Sequence, residues 1–250
     1  MSGHSKWSTI KRKKGKADQE RGRIFTRLIK EIIVAAREGG GDPESNTRLR
    51  SAVAAAKAAN MPQDNIKRGI LKGTGQLPGV SYESATYEGY GPGGVALYLE
   101  VLTDNRNRVV ADIRHILSKY GGNLGANGCV AWMFDKKGVV TVDLDAADED
   151  SLMEIVVDEG AEDIKTDSGA YEVYMDPGVL DNVRSAIEGK GITIASAEVT
   201  MVPQSTTKLE TESEAGSMLK MLELLEEHDD IQKVYSNFDI DQELLEKLAG

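Results

Sequence analysis

Residues 139–202 read VVTVDLDAADEDSLMEIVVDEGAEDIKTDSGAYEVYMDPGVLDNVRSAIEGKGITIASAEVTMV, and their pattern decides the fold. Val139–Val142 is an apolar run of the kind that favours extended backbone. Asp148–Glu159 has helical spacing, with acidic residues in a first turn where the positive end of the helix dipole favours them. Ile164–Asp167 and Tyr171–Met175 read as strands, Pro177–Glu188 as a helix and Ile194–Val202 as a strand. The order β-α-β-β-α-β is that of a split-βαβ, ferredoxin-like unit.

Elements of the same kind flank this block. Before it come a largely apolar strand at Val95–Thr103, a helix at Arg106–Tyr120 stopped by Gly121-Gly122, and a strand at Val130–Phe134. After it come a polar strand candidate at Ser205–Leu209, a helix at Ser213–His228 and a strand at Ile231–Phe238. The expected fold is therefore α+β, with two ferredoxin-like α/β domains, one inserted into the other. Lys136-Lys137-Gly138 and Pro203 mark the crossings. The boundaries expected are a basic helical domain with an N-terminal arm at 1–78, an outer α/β domain at 79–135 plus 203–250, and an inserted one at 136–202.

The N-terminal third is helical and opposite in charge. From Arg21 to Arg37 the apolar residues Ile24, Phe25, Leu28, Ile29, Ile32, Ile33, Ala35 and Ala36 fall on one half of a helical wheel, and Arg23, Arg27, Lys30 and Arg37 form a stripe opposite. Gly39-Gly40-Gly41 ends this helix. A second, alanine-rich helix runs from about Thr47 to Ala59, and Pro62 opens a short third one that turns Lys67, Arg68 and Lys72 outward. Residues 1–75 hold 17 Lys/Arg against 7 Asp/Glu, a net of +10; residues 76–250 hold 13 against 34, a net of −21. Such opposed parts suggest separate modules, one of them built to meet a polyanion.

Residues 1–23 are too polar to bury a core of their own and read as an arm. Lys6, Trp7, Lys11, Arg12, Lys13, Lys14, Lys16 and Arg21, with Arg23, Arg27 and Lys30 of the helix, are the expected nucleic-acid-binding residues. Asn105, Arg106, Asn107 and Arg108 join them: Asp104 or Asn105 can cap a helix, but alternating amide and guanidinium groups also suit bases and phosphates. No helix carries an evident set of base-reading side chains.

Other chemistry finds little support. The single cysteine, Cys129, excludes an intramolecular disulfide and a cysteine-cluster zinc site. His4, His115 and His228 lie far apart, and the acidic run at 143–150 lacks the glycine and terminal glutamate of a calcium loop. Tyr87-Glu88-Gly89-Tyr90-Gly91-Pro92-Gly93-Gly94 lacks the ending of a phosphate-gripping loop and reads as a close approach to the following strand. No catalytic constellation stands out, so the protein is expected to be no enzyme and to carry no cofactor or metal. No apolar stretch approaches the roughly 20 residues of a membrane span. The protein is expected to be cytoplasmic, free of membrane and monomeric.

Gly3-His4-Ser5-Lys6-Trp7, Ile10-Lys11-Arg12-Lys13-Lys14, Asn60-Met61-Pro62, the Tyr87–Gly94 string, Thr103-Asp104-Asn105-Arg106-Asn107-Arg108 and Gly121-Gly122-Asn123-Leu124-Gly125 together resemble the YebC/PmpR family over essentially the whole chain. The resemblance implies a cytoplasmic protein of three domains, the first helical and the other two α/β. It further implies a nucleic-acid-binding regulator of gene expression, by name a DNA-binding transcriptional regulator. Mitochondrial relatives look like translational activators and bacterial ones are linked to stalled ribosomes, so ribosomal RNA and the ribosome are alternative partners. A protein-interaction module with an incidental basic arm is the remaining reading.

Overall fold

Helix α1, Ala17–Gly39, opens the part of the chain that a computed structural model describes, residues 17–167 and 169–249. It starts four residues before the expected point and buries Ile32, Ala35 and Ala36 against α2, Thr47–Ala58, and α3, Gln63–Gly73. Asn46 joins the first two helices. Its side chain accepts from the Leu49 amide at 3.0 Å to cap α2, and donates at 2.8 Å to the Ala35 and Gly40 carbonyls of the preceding helix end. Asn60 ends α2 at φ 58°, a left-handed position that asparagine tolerates. Helices α2 and α3 are thus joined by a turn of four residues, with Met61 buried beneath it.

The sheet at 134–203 has the order read from sequence. It contains β4 (Phe134–Asp143), α5 (Glu149–Val157), β5 (Ala161–Asp167), β6 (Ala170–Met175), α6 (Leu180–Gly189) and β7 (Ser196–Pro203). The strands lie in the order β5-β6-β4-β7, all antiparallel, the spatial order of a ferredoxin-like sheet. Val140, Val142, Tyr171, Val173 and Met175 face Leu152, Val156, Val183 and Ile187 in one core. Strand β4 runs straight through Lys136-Lys137-Gly138, which reads as a turn on composition alone. Gly138 sits in the ladder because a Cβ there would meet Met175 Cγ at 2.9 Å and Leu180 Cβ at 3.2 Å.

The flanking sheet reaches a similar layered form by a different strand order, β3-β1-β2-β9. Its strands are β1 (Glu83–Tyr90), β2 (Ala96–Thr103), the two-residue β3 (Asn123–Leu124) and β9 (Ile231–Ser236). Its helices are α4 (Arg106–Lys119) and α7 (Glu212–Glu227). Leu97, Leu99 and Val101 bury one face against Val109, Ile113 and Leu117 of α4 and Met218, Leu222 and Leu225 of α7. The opposite face places Tyr98 and Tyr235 against Phe134, where the two sheets meet.

Three elements differ from expectation. Strand β1 occupies a stretch with little apolar content; it pairs with β2 along its whole length, and Gly89 admits β3, since a Cβ there would meet the Asn123 carbonyl at 2.5 Å. The expected strand at 205–209 shrinks to β8 (Thr207–Lys208), paired in parallel with β10 (Phe238–Asp239), before the closing helix α8 (Gln242–Ala249). Val130–Met133 is no strand but a loop with a 3-10 turn at Ala131–Met133, and Phe134 opens β4.

The reason lies beneath that loop. Glu88, buried at 5% exposure on β1, accepts from the amides of Gly128, Val130 and Ala131 at 2.6, 2.7 and 2.8 Å. Those amides are therefore not available to a sheet ladder. Burial pushes the Glu88 carboxyl up, and the three amide donors more than reverse this, holding it below the ordinary glutamate value. The stabilisation is complete above the ordinary value and is lost as pH falls through the lowered one. Glu88→Gln turns an NH2 group toward amides that need an acceptor. It is expected to cost about 2–3 kcal/mol near neutral pH, with a smaller difference in acid, measured by urea unfolding across pH.

Candidate nucleic-acid interface

The cationic stripe of α1 faces protein. Arg23 pairs with Glu227 at 2.8 Å, and Arg27 donates to the Glu226 carbonyl at the end of α7. Lys30 donates to Asp230 Oδ1 at 2.6 Å and to the Asp229 carbonyl at 2.8 Å, and its ammonium lies 5.4 Å from the centre of the Tyr82 ring. The Lys30 and Asp230 side chains are only 7% and 5% exposed. Arg37 donates to the Tyr82 carbonyl at 2.8 Å. A helical wheel shows that such a stripe is polar; it does not show whether water, phosphate or a neighbouring acidic surface lies opposite.

From the Asn105–Arg108 segment, Arg108 reaches the same carboxylate. Asn105 caps α4 by accepting from the Arg108 amide at 3.1 Å. The Arg108 guanidinium donates to Asp104 Oδ1 and Asp230 Oδ2, both at 2.7 Å. The Thr103 hydroxyl donates to Asp230 Oδ2 at 3.0 Å. Burial pushes the Asp230 carboxyl up, and Lys30, Arg108 and Thr103 outweigh it, so Asp230 titrates below an ordinary aspartate. Arg106 pairs with Glu83 at 2.8 Å, and Asn107 is exposed. These residues form a junction of charge between the helical unit and the first sheet.

Of the arm, Lys6, Trp7, Lys11, Arg12, Lys13, Lys14 and Lys16 lie outside the described residues; Arg21 falls within α1, and only its backbone is described. Exposed free cations of the helical unit lie elsewhere. Lys57 at the end of α2 and Lys67 and Arg68 on α3 are exposed and make no ion pair or hydrogen bond within the described residues. Gln63 and Asn65 share the exposed part of α3, while Ile66 and Gly69 turn inward. Gln63 and Asn65 carry no periodic signal in the sequence; only the burial of Ile66 and the position of the preceding turn show which side of this short helix is free.

Among the described residues, no group of three or more His, Cys, Asp or Glu side chains is gathered as a metal ion would need. No described helix is long and apolar enough to cross a membrane.

A basic helical unit clamped onto paired antiparallel sheets is the class of protein that this fold and surface define. The family profile of the TACO1/YebC protein N-terminal domain matches residues 5–76, and that of the TACO1/YebC second and third domain matches residues 82–238. The chain belongs to the TACO1/YebC family. It is 60% identical to a probable transcriptional regulatory protein of Syntrophus aciditrophicus over the full length of both chains. A protein of the same name from Desulforapulum autotrophicum is 59% identical, over 99% of this chain and all of that one. A crystal structure of a conserved hypothetical protein from Aquifex aeolicus shares the fold at a TM-score of 0.80 and 45% identity, covering 91% of this chain and 94% of that one.

Proposed function

We propose that this protein is a non-enzymatic nucleic-acid-binding regulator of gene expression that acts on DNA as a transcriptional regulator. The observation that carries the reading is the division of charge, +10 over residues 1–75 against −21 over the rest, together with free cations on α3. The negative remainder repels nucleic acid and orients the basic unit toward it. The names of the Syntrophus and Desulforapulum relatives point the same way.

In this reading the arm supplies phosphate contacts through Lys6, Lys11, Arg12, Lys13, Lys14 and Lys16, with Trp7 and Arg21 beside them. Arg23, Arg27 and Lys30 hold the unit in place, Arg108 shares Asp230 with Lys30, and Arg106 pairs with Glu83 within the first sheet. Helices α2 and α3, with their turn of four residues, have the spacing of a helix-turn-helix. The second helix offers Gln63, Asn65, Lys67 and Arg68 near its start, where amides can read adenine and guanidinium can read guanine.

Selection of bound duplexes from a random pool tests this. The full chain is expected to enrich a defined sequence, and Asn65→Ala to lose preference at one position by about 1–3 kcal/mol. Arg68→Ala, if it serves a phosphate, reduces the salt slope by about 1. A pool that never converges, with tighter binding to ribosomal RNA and co-sedimentation with ribosomes, would replace the DNA reading by the translational one.

A further inference from the structure

We infer that Trp132 is a stacking platform for an unpaired nucleobase. This rests on the nucleic-acid reading above but uses a residue outside the arm and α3. Trp132 is 68% exposed, and no other large apolar side chain between residues 81 and 143 is exposed among those described. Leaving an indole in water forfeits the largest hydrophobic gain any side chain offers.

The loop that carries the ring is built to hold it there. The Trp132 indole N–H donates to the Cys129 carbonyl at 3.1 Å, which fixes how the ring leaves the backbone. The Tyr90 hydroxyl donates to that same carbonyl at 3.2 Å. Beneath, the Glu88 carboxylate takes the amides of Gly128, Val130 and Ala131. A buried charge is costly, and here three hydrogen bonds of that charge go to the segment that lifts one aromatic ring into solvent. Such pre-organisation is what a recognition site needs, because little entropy is then lost on binding.

The surroundings favour a base over a protein pocket. Hot spots between proteins sit in apolar patches enclosed by other contact residues, whereas Trp132 follows the small and uncharged run Gly125-Ala126-Asn127-Gly128. The stretch 113–134 contains no Asp or Glu, although residues 76–250 as a whole carry a net of −21. A flat ring on a stretch of chain without Asp or Glu, above a Glu88 carboxylate whose charge the loop amides take up, suits stacking on a single-stranded segment, which needs only a π-face.

The test uses the full chain and a 12-nucleotide oligouridylate. Trp132→Ala is expected to weaken binding about 5- to 100-fold while leaving the salt slope unchanged, because stacking releases no counterions. Trp132→Phe restores most of the affinity. In a Trp7→Phe background Trp132 is the sole tryptophan, and its fluorescence is expected to be quenched on binding. Since the ring is exposed, the melting temperature of Trp132→Ala stays near that of the wild type. Equal affinity of Trp132→Ala without quenching, while salt-dependent binding through the arm persists, overturns this inference and spares the proposed function. A full chain that binds neither DNA nor RNA overturns both.

Discussion

Asp230→Ala is expected to lower the unfolding free energy by about 3–5 kcal/mol, the cost of breaking a buried ion pair from one side. Asp230 accepts from Lys30 at 2.6 Å, Arg108 at 2.7 Å and Thr103 at 3.0 Å, so three donors lose their acceptor together. Arg108 is 48% exposed at its side chain and can return to water; Lys30, at 7%, cannot. Lys30 is therefore where the cost arises. A double variant, Lys30→Met with Asp230→Leu, is expected to recover much of the loss, because no charge is then left buried. Urea unfolding of the three proteins measures this. A loss below about 1 kcal/mol for Asp230→Ala would show that the junction is solvated and that Lys30 holds nothing in place. The pH dependence has a definite sign. Asp230 titrates low, so its contribution is complete above the ordinary aspartate value and disappears as pH falls through the lowered one. The helical unit should then detach in acid, with faster cleavage of the segment 74–82 that joins α3 to β1 by an acid-active protease.

Deletion of residues 2–16 is the second large effect. Six cations lie in that segment, and the structure ties Arg23, Arg27 and Lys30 to the acidic sheet, so phosphate contacts fall mainly to the arm. If about five phosphates are neutralised, duplex affinity falls about 500-fold between 50 and 200 mM salt, from a slope near −0.9 per contact. The truncated chain should lose most of that dependence and bind weakly even at low salt, as fluorescence anisotropy with labelled duplex would show. Helix α1 begins at Ala17, so the truncation removes none of the described elements. An unchanged slope would remove the arm from the function.

The inserted sheet was legible in the sequence because its order β-α-β-β-α-β arises from local signals alone: apolar runs, helical spacing and acidic first turns. The flanking sheet was less so. Strand β1 has its hydrogen-bond partners in β2 and its packing in the Leu117 side of α4, and neither is visible within Glu83–Tyr90 itself. At 130–134 the residues look like a strand, yet a carboxylate some 40 positions earlier takes their amides. Asn105 could be read as a cap and was one; that Arg108 would meet Asp230, 122 positions on, could not.

Composition and spacing by themselves determined that a cationic helical segment precedes an anionic pair of α/β layers, since charge and periodicity are properties of neighbours along the chain. Only the tertiary structure decided which cations are free. Coulomb attraction acts through space, and the folded chain brings its own acidic turn at 226–230 against the α1 stripe, while leaving Lys67 and Arg68 of α3 and the ring of Trp132 in solvent.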